Sequence, residues 1–442
     1  MLSTRRGVRG GVALSLLSCL ALAATACGGG GDTASSATRG VTINVALAIP
    51  SPPKASLDAF TKSTGITVHW TNIDWDSLQT KIAAAATAHT YFADATDVDW
   101  SRVGQLSKLK WFYPMQDYVD TKALAPDMPQ LTSFTVGKEV VGVPFDASFL
   151  TTTVNKEMFA KAGITTMPKT LAEYTADLKK VKAKGVVDHP LDIPFAAAEG
   201  LSTYWYQATA AFGGTVLDAH GKPQFTSPGS AGYKAAQWMT DAIKQGLVAP
   251  GNINTTDSQG TQTEMAKGRV ASVFSDYSGN VGSLYDVPSA STVTKQVVYV
   301  PTPGATGPAP NLSNPDGIGI PRTAKYPAAA AKFIKWFTSA DQQAAFAGID
   351  GPDKTLHTYS LPSRLSAVHR LGAKGDLVQA GAMSSMLASS TRPVFPQGAP
   401  SWYPQFSNSV YTNLHAAATG SQSVGAAIKA IAATANRLAG GS

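Results

Sequence analysis

Residues 143–164 read VPFDASFLTTTVNKEMFAKAGI. Val-Pro-Phe is extended, and after Leu150 the run Thr151 to Val154 is β-branched, the composition of a strand. Asn155 and Lys156 turn the chain into a short amphipathic helix, and Gly163 stops it. Working backward to Lys138, KEVVGVPFDASFLTTTVN has the look of a hairpin-like pair of extended segments around Val-Gly-Val-Pro. Working forward, TTMPKTLAEYTADLKKVKAKG is a proline-led turn and then a helix. Thr170 is its expected N-cap, with Glu173 three residues on as a capping box, and Gly185 ends it.

The segments before this stretch alternate in type. VTINVALAI from Val41 is a strand, and a helix stopped at Gly65 follows it. ITVHWTNI is a second strand, and DWDSLQTKIAAAATAH a second helix with Asp74 or Asp76 near its start. YFADATDVDW is a third strand. Strands alternating with helices predict an α/β fold with a largely parallel sheet. Ligands of such sheets bind beyond the carboxyl ends of the strands. Two of the three ends, Asp74-Trp75 and Asp99-Trp100, place an acid beside a tryptophan.

The chain has 442 residues, suited to two domains. It is 44% hydrophobic and 15% charged, with 8 Trp and 14 Tyr, so it can bury sizeable cores. The net charge of +7 falls to 7 − 3 = +4 without Arg5, Arg6 and Arg9. No basic run is interleaved with aromatics, which argues against a nucleic-acid partner.

Those three arginines and the apolar stretch GVALSLLSCLALAATA form an export signal. LAATAC followed by four glycines resembles a bacterial lipoprotein signal, with Cys27 as the lipid anchor. The resemblance implies a signal at 1–26 and a flexible tether at 27–40. Both cysteines, Cys19 and Cys27, lie in this leader region, so the exported body is expected to hold no disulfide.

VGVPF, VNKEMFAKAGI and MPKTLAEYTADLKKVKAKG resemble, in order and spacing, the central signature of extracellular solute-binding proteins of sugar ABC transporters. AFGGTVLDAHGKPQFTSPGSAGYKAAQWMTDAIKQGLVAP, EMAKGRVASVFSDYSGNVG and PAAAAKFIKWFTSADQQAAFA continue the series. Val154 departs from the family's usual Tyr and Leu171 from its usual Trp. The resemblance implies a two-lobed clamp, each lobe a sheet flanked by helices, joined by hinge segments. Lobe 1 would begin with 41–148 and lobe 2 would comprise most of 149–312. Residues 313–442 would return to lobe 1 and complete the cleft. It implies a monomer that captures a carbohydrate, of oligosaccharide size given the abundance of aromatics, and delivers it to ABC permease subunits.

Sugars call for acids, amides or Arg for bidentate hydrogen bonds, and for flat rings to stack on. Trp75, Asp76, Asp97, Asp99, Trp100 and Arg102 qualify in the first half, with Asp146 in the crossover. Asp276 and Tyr277 follow the β-branched run RVASVF, and Trp402 and Tyr403 lie in a proline-flanked loop. Trp205 could stack a sugar or fill a core. Asp316 and Gly317, in NPDGIGIPR, are cleft candidates by the resemblance. Trp238 and Trp336, mid-helix among apolar neighbours, are expected in cores.

No cofactor or metal is expected. Read as a calcium loop from Asp97, the sequence places Arg102 and Lys108 where Gly and Glu are needed, and no HExxH or GxSxG motif occurs. Asp97 and Asp99 share a strand face, so a glycosidase dyad in a secreted carbohydrate-active enzyme is the alternative from another class. A carrier of glycerol-phosphate-type or polyamine ligands is a third reading. A phosphate would want clustered Arg, and only Arg102 is well placed.

Overall fold

The computed structural model describes residues 38–257, 261–347 and 361–441. In chain order, β1 (Val41–Leu47), α1 (Lys54–Thr64), β2 (Ile66–Asn72), α2 (Trp75–Ala88), β3 (Ala95–Asp99), α3 (Val103–Lys108) and α4 (Thr121–Leu124) come first. A small hairpin, β4 (Thr135–Val136) and β5 (Glu139–Val140), precedes β6 (Val143–Pro144) and β7 (Leu150–Asn155). Then follow α5 (Lys156–Lys161), α6 (Leu171–Ala183), β8 (Leu191–Asp192), α7 (Glu199–Ala211), α8 (Ala231–Lys244), α9 (Gln262–Ala266), β9 (Ser272–Tyr277) and β10 (Val297–Val300). The remainder is β11 (Asn311–Ser313), β12 (Asp316–Gly319), α10 (Pro327–Phe337), α11 (Ala340–Ala347), α12 (Leu365–Lys374), α13 (Ala380–Ser389), β13 (Thr391–Pro393), α14 (Tyr403–Ala418) and α15 (Val424–Gly440).

Local chemistry sets many of these boundaries. Gly65 adopts φ 74° and closes α1 in the left-handed conformation that glycine tolerates best. The Asp74 side chain accepts from the backbone of Ser77 and starts α2. Asn155 ends β7 and caps α5 by accepting from the Glu157 and Met158 backbones. Thr170 and Glu173 form the expected reciprocal capping box of α6.

Two main sheets result. In the first the order is β2-β1-β3-β12-β6. β1 lies parallel to β2 and β3, while β12 runs antiparallel to both β3 and β6. Its two faces are covered by separate apolar clusters. Ile43, Val45, Ile318, Phe333 and Ile334 belong to one, and Leu78, Ile82, Val98, Trp111 and Phe112 to the other. The second sheet has the order β10-β7-β9-β8, with β7 antiparallel to both neighbours and β8 parallel to β9. The expectation of largely parallel sheets therefore holds for the opening strands and for β8 with β9, while β12 and β7 run antiparallel to their neighbours. These two strands enter from crossovers and return in the opposite direction.

The hairpin expected over 138–155 does not form. β6 belongs to the lobe 1 sheet, where Val143 faces Ile318, and β7 to the lobe 2 sheet, where Leu150 faces Tyr277. Pro144 has no N–H to extend a ladder. The chain instead leaves the first sheet, and the backbone N–H of Phe145 donates to the Asp316 carbonyl. Beside this crossing runs a second, from β11 to β12, and the Phe149 and Ser313 backbones bridge between the two. A third segment, 361–364, lies against them. The backbone of Asp146 bridges to Pro362, and the Ser363 hydroxyl donates to the Pro144 carbonyl at 2.6 Å.

The C-terminal region also divides differently from the expectation. β12, α10 and α11 return to lobe 1, with Phe333, Ile334 and Phe346 in its core. Helices α14 and α15 pack on lobe 2 instead, through Phe406, Val410, Leu414, Ile428 and Ile431. The reason is α7, whose residues 200–211 are buried on every side. Its mostly apolar and aromatic side chains, with Ser202, Thr203, Gln207 and Thr209 hydrogen-bonded among them, need cover on every side, and α8 and α14 supply much of it.

Candidate ligand site between the lobes

β3 points its carboxyl end at the crossovers. Asp97 and Asp99, on one face of that strand, are both buried. Gln79 donates to Asp97 Oδ2 at 2.5 Å, and the Ser101 backbone donates to Asp99 Oδ1 at 2.7 Å. Asp316 lies directly across from Asp99 on β12. Its backbone N–H donates at 2.8 Å to Oδ1 of Asp146, the acid of the first crossover. Four carboxyl groups thus meet where the lobes join. Burial, then the neighbouring acids, pushes Asp97 and Asp316 well above the ordinary carboxyl range. Burial pushes Asp146 up to about 7, against two backbone hydrogen bonds that lower it.

That shift carries a stability consequence. The folded-state value of Asp146 lies above its unfolded value of 3.8, so its contribution is fully present below the unfolded value and is lost as pH rises toward about 7. Asp146→Asn keeps an acceptor for Asp316 and removes the charge. Denaturant titrations at about pH 5 and about pH 8 are expected to show a smaller loss of stability in the variant, the difference being about 1–4 kcal/mol. Equal losses in the two proteins would contradict the buried-acid assignment.

Beyond β3 the chain enters an aromatic seam between the lobes. Trp100 is buried and donates from Nε1 to Asn314 Oδ1 at 3.0 Å. Its ring meets Tyr403 at 5.7 Å and Phe395 at 6.3 Å, both from the lobe 2 side. The Arg102 guanidinium lies 5.4 Å from the Trp75 ring centre and 5.5 Å from that of Tyr403. Arg102 Nη2 is 3.5 Å from Oε2 of Glu199, the first residue of α7, and Oε1 of Glu199 accepts from the Tyr403 hydroxyl. Arg102 Nη1 is buried and has no hydrogen-bond partner. The pair sits largely out of water, Arg102 13% and Glu199 19% exposed. Burial raises the pKa of Glu199, with Arg102 pulling the other way.

The structure therefore brings Trp75, Trp100, Arg102 and Tyr403 together, and Asp97, Asp99, Asp146 and Asp316 beside them. Tyr277, at the end of β9, donates to Asp257 Oδ2 at 2.6 Å, and Asp257 packs against Gly200 next to Glu199. The remaining candidates lie elsewhere. Asp76 is exposed on the first turn of α2. Trp205 is fully buried in the lobe 2 core, donates to the Gly232 carbonyl at 2.8 Å and packs edge-on against Phe225. Asp276 is enclosed by Thr153, Asn280 and Tyr285, all donating to its carboxylate. Gly317 packs under Phe134, whose ring a Cβ would meet at 2.8 Å. Trp402 lies against Phe406 and Gly221 within lobe 2. Trp238 and Trp336, expected in cores, are half-buried and pack against Phe274 and Phe60 respectively.

Sequence reasoning did not single out Glu199, Asn314 or Phe395. Glu199 in AAAEG is an ordinary helix-start acid by pattern, and only the fold sets it opposite Arg102. Asn314 stands two residues before the candidate Asp316, and no pattern marks it. The expected anchor, Cys27, lies outside the described residues. No helix among the described residues is long and apolar enough to cross a membrane, and no group of three or more His, Cys, Asp or Glu among them, the four seam aspartates included, is arranged to hold a metal ion.

Residues 48–344 match the model of the bacterial extracellular solute-binding protein family. A protein of Brucella abortus named as a binding protein is 25% identical over 302 residues, covering 65% of this chain and 68% of its own. Maltose-bound MalE3 from T. maritima superposes with a TM-score of 0.77 at 21% identity, covering 90% of this chain and all of that one. A solute-binding protein of Agrobacterium radiobacter K84 in complex with ribitol gives 0.77 at 20% identity, covering 91% of this chain and 99% of its own. One from Agrobacterium vitis S4 with bound D-mannitol gives 0.75 at 22%, covering 90% and 98%. These structures share the two-lobed fold. With the family model spanning well over half of its length, the chain belongs to the bacterial extracellular solute-binding proteins, a family of binding proteins and not of enzymes.

Proposed function

We propose that the protein captures a sugar or sugar alcohol between its lobes and hands it to the permease of an ABC importer. The observation that carries this reading is the seam itself. Flat rings, one guanidinium and a bank of carboxyl groups converge where the two sheets meet, which is the chemistry a polyhydroxyl compound needs. The ligands named for the similar structures, maltose, ribitol and mannitol, support the same class. A phosphate-bearing ligand fits poorly, because the seam's arginine is already matched by Glu199. In this reading Cys27 carries lipid and tethers the body outside the cell. Membrane fractionation of Cys27→Ala tests that part, and the variant is expected in the medium.

The test of binding is a thermal-shift screen of the purified protein against maltose, longer maltodextrins, ribitol, mannitol, monosaccharides, glycerol 3-phosphate and spermidine. A ligand at about 100 times its Kd stabilises the native state by about 2.7 kcal/mol, enough to move the melting temperature. At least one sugar or polyol is expected to do so and to be recovered unchanged. A shift with spermidine or glycerol 3-phosphate alone would replace this reading, and hydrolysis of the sugar would overturn it.

A further inference from the structure

Taking the seam as a carbohydrate site, as the preceding reading does, we propose that it selects uncharged sugars and polyols over acidic sugars. Glu199 is the residue that sets this selection. The Arg102 guanidinium is the group a sugar carboxylate would seek, and it is engaged on three sides. Trp75 and Tyr403 cover it at 5.4 and 5.5 Å, and Glu199 holds Nη2 at 3.5 Å. What remains is Nη1, a buried donor without a partner.

A buried, unmatched donor is costly, so the seam favours a ligand that brings an acceptor to it. A hydroxyl or ring oxygen does this without adding charge. A carboxylate in the same place would compete with Glu199 for one cation, and the other carboxyl group acting on Arg102, that of Asp99, adds no positive charge. Water is largely excluded, so the repulsion between the two carboxylates is weakly screened. Glu199 cannot simply yield its place. The Tyr403 hydroxyl donates to it, and its position at the start of the 13-residue helix α7 favours a negative charge. The closest contact made by the arginine therefore doubles as a filter against anions.

Titration calorimetry with matched pairs tests this: glucose and glucuronate, galactose and galacturonate, mannitol and gluconate, maltose and maltobionate. For each pair whose neutral member binds, the acidic member is expected to bind at least about 100-fold more weakly, the scale on which like-charge juxtaposition acts. Glu199→Gln keeps the size of the side chain and an acceptor for Tyr403 while removing the charge. It is expected to narrow that gap by about tenfold or more. An acidic member that binds the unmodified protein as well as its neutral partner would overturn the proposal. So would a gap unchanged in a folded Glu199→Gln variant. Should the variant fail to fold, the comparison on the unmodified protein still decides. If no sugar or polyol binds, in these pairs or in the thermal-shift panel, the carbohydrate reading itself falls, an outcome distinct from tight binding of an acid.

Discussion

Gly104→Ala is expected to weaken ligand binding by about fivefold to about a hundredfold while each lobe keeps its fold. Gly104 lies on the first turn of α3, in lobe 1, and faces residues 399–401 of the lobe 2 side. A Cβ there would stand 2.0 Å from the Ala399 carbonyl oxygen and 2.9 Å from the carbonyl carbon of Pro400. Both are backbone atoms, so no side-chain rotation relieves the clash. Overpacking of this kind costs about 1–3 kcal/mol, and every 1.4 kcal/mol is a factor of ten in affinity. Because the contact runs between lobes, the penalty falls on the state in which they meet. A ligand that acts by drawing the lobes together must then work against it. Calorimetric titration and melting of the unliganded variant separate the two effects. A large fall in melting temperature with unaltered affinity would show that the contact belongs to one folded unit and not to a closure.

Trp205→Ala is expected to destabilise the unliganded protein by about 3–5 kcal/mol, the range for truncating a buried aromatic. Its ring is fully buried beneath Phe225 and Tyr206, and its Nε1 donates to the Gly232 carbonyl. The truncation opens a cavity in α7, the helix around which lobe 2 is assembled, and also leaves that carbonyl without its donor. Denaturant unfolding of the purified variant checks the size of the loss. Ligand affinity of the folded fraction should change little, whereas a direct stacking role would abolish it with the stability intact.

The contrast between Trp205 and Trp100 shows what could be read from the sequence. Both stand beside polar residues, and both suited stacking. Trp100 follows a strand end, and its position in the seam follows from the direction of β3. Trp205 sits on a helix, where the facing side depends on what else packs against it. That cover comes from Phe225 and from Gly232 on α8, beyond the end of its own helix, and nothing in the local pattern announces it. Trp402 and Tyr403 make the same point one residue apart. The start of α14 turns Tyr403 toward Arg102 and leaves Trp402 against Gly221.

The elements that were legible are those whose signals are local. The caps at Asp74, Asn155 and Thr170 and the helix-ending Gly65, Gly163 and Gly185 are all in place. The crossovers were legible only through the family resemblance. Val143 and Leu150 are near neighbours in sequence, yet they pair with Ile318 and Tyr277 in two different sheets. Register of that kind is set by distant partners. The Arg102–Glu199 pair is of the same sort, since neither residue carries a pattern that names the other.

The most direct measurement is a crystal structure of the protein with a sugar or polyol that raises its melting temperature. The ligand is expected between the lobes, against Trp75, Trp100 or Tyr403, with an oxygen within about 3.2 Å of Arg102 Nη1. A ligand bound elsewhere, with the guanidinium edge still unpartnered, would contradict this placement.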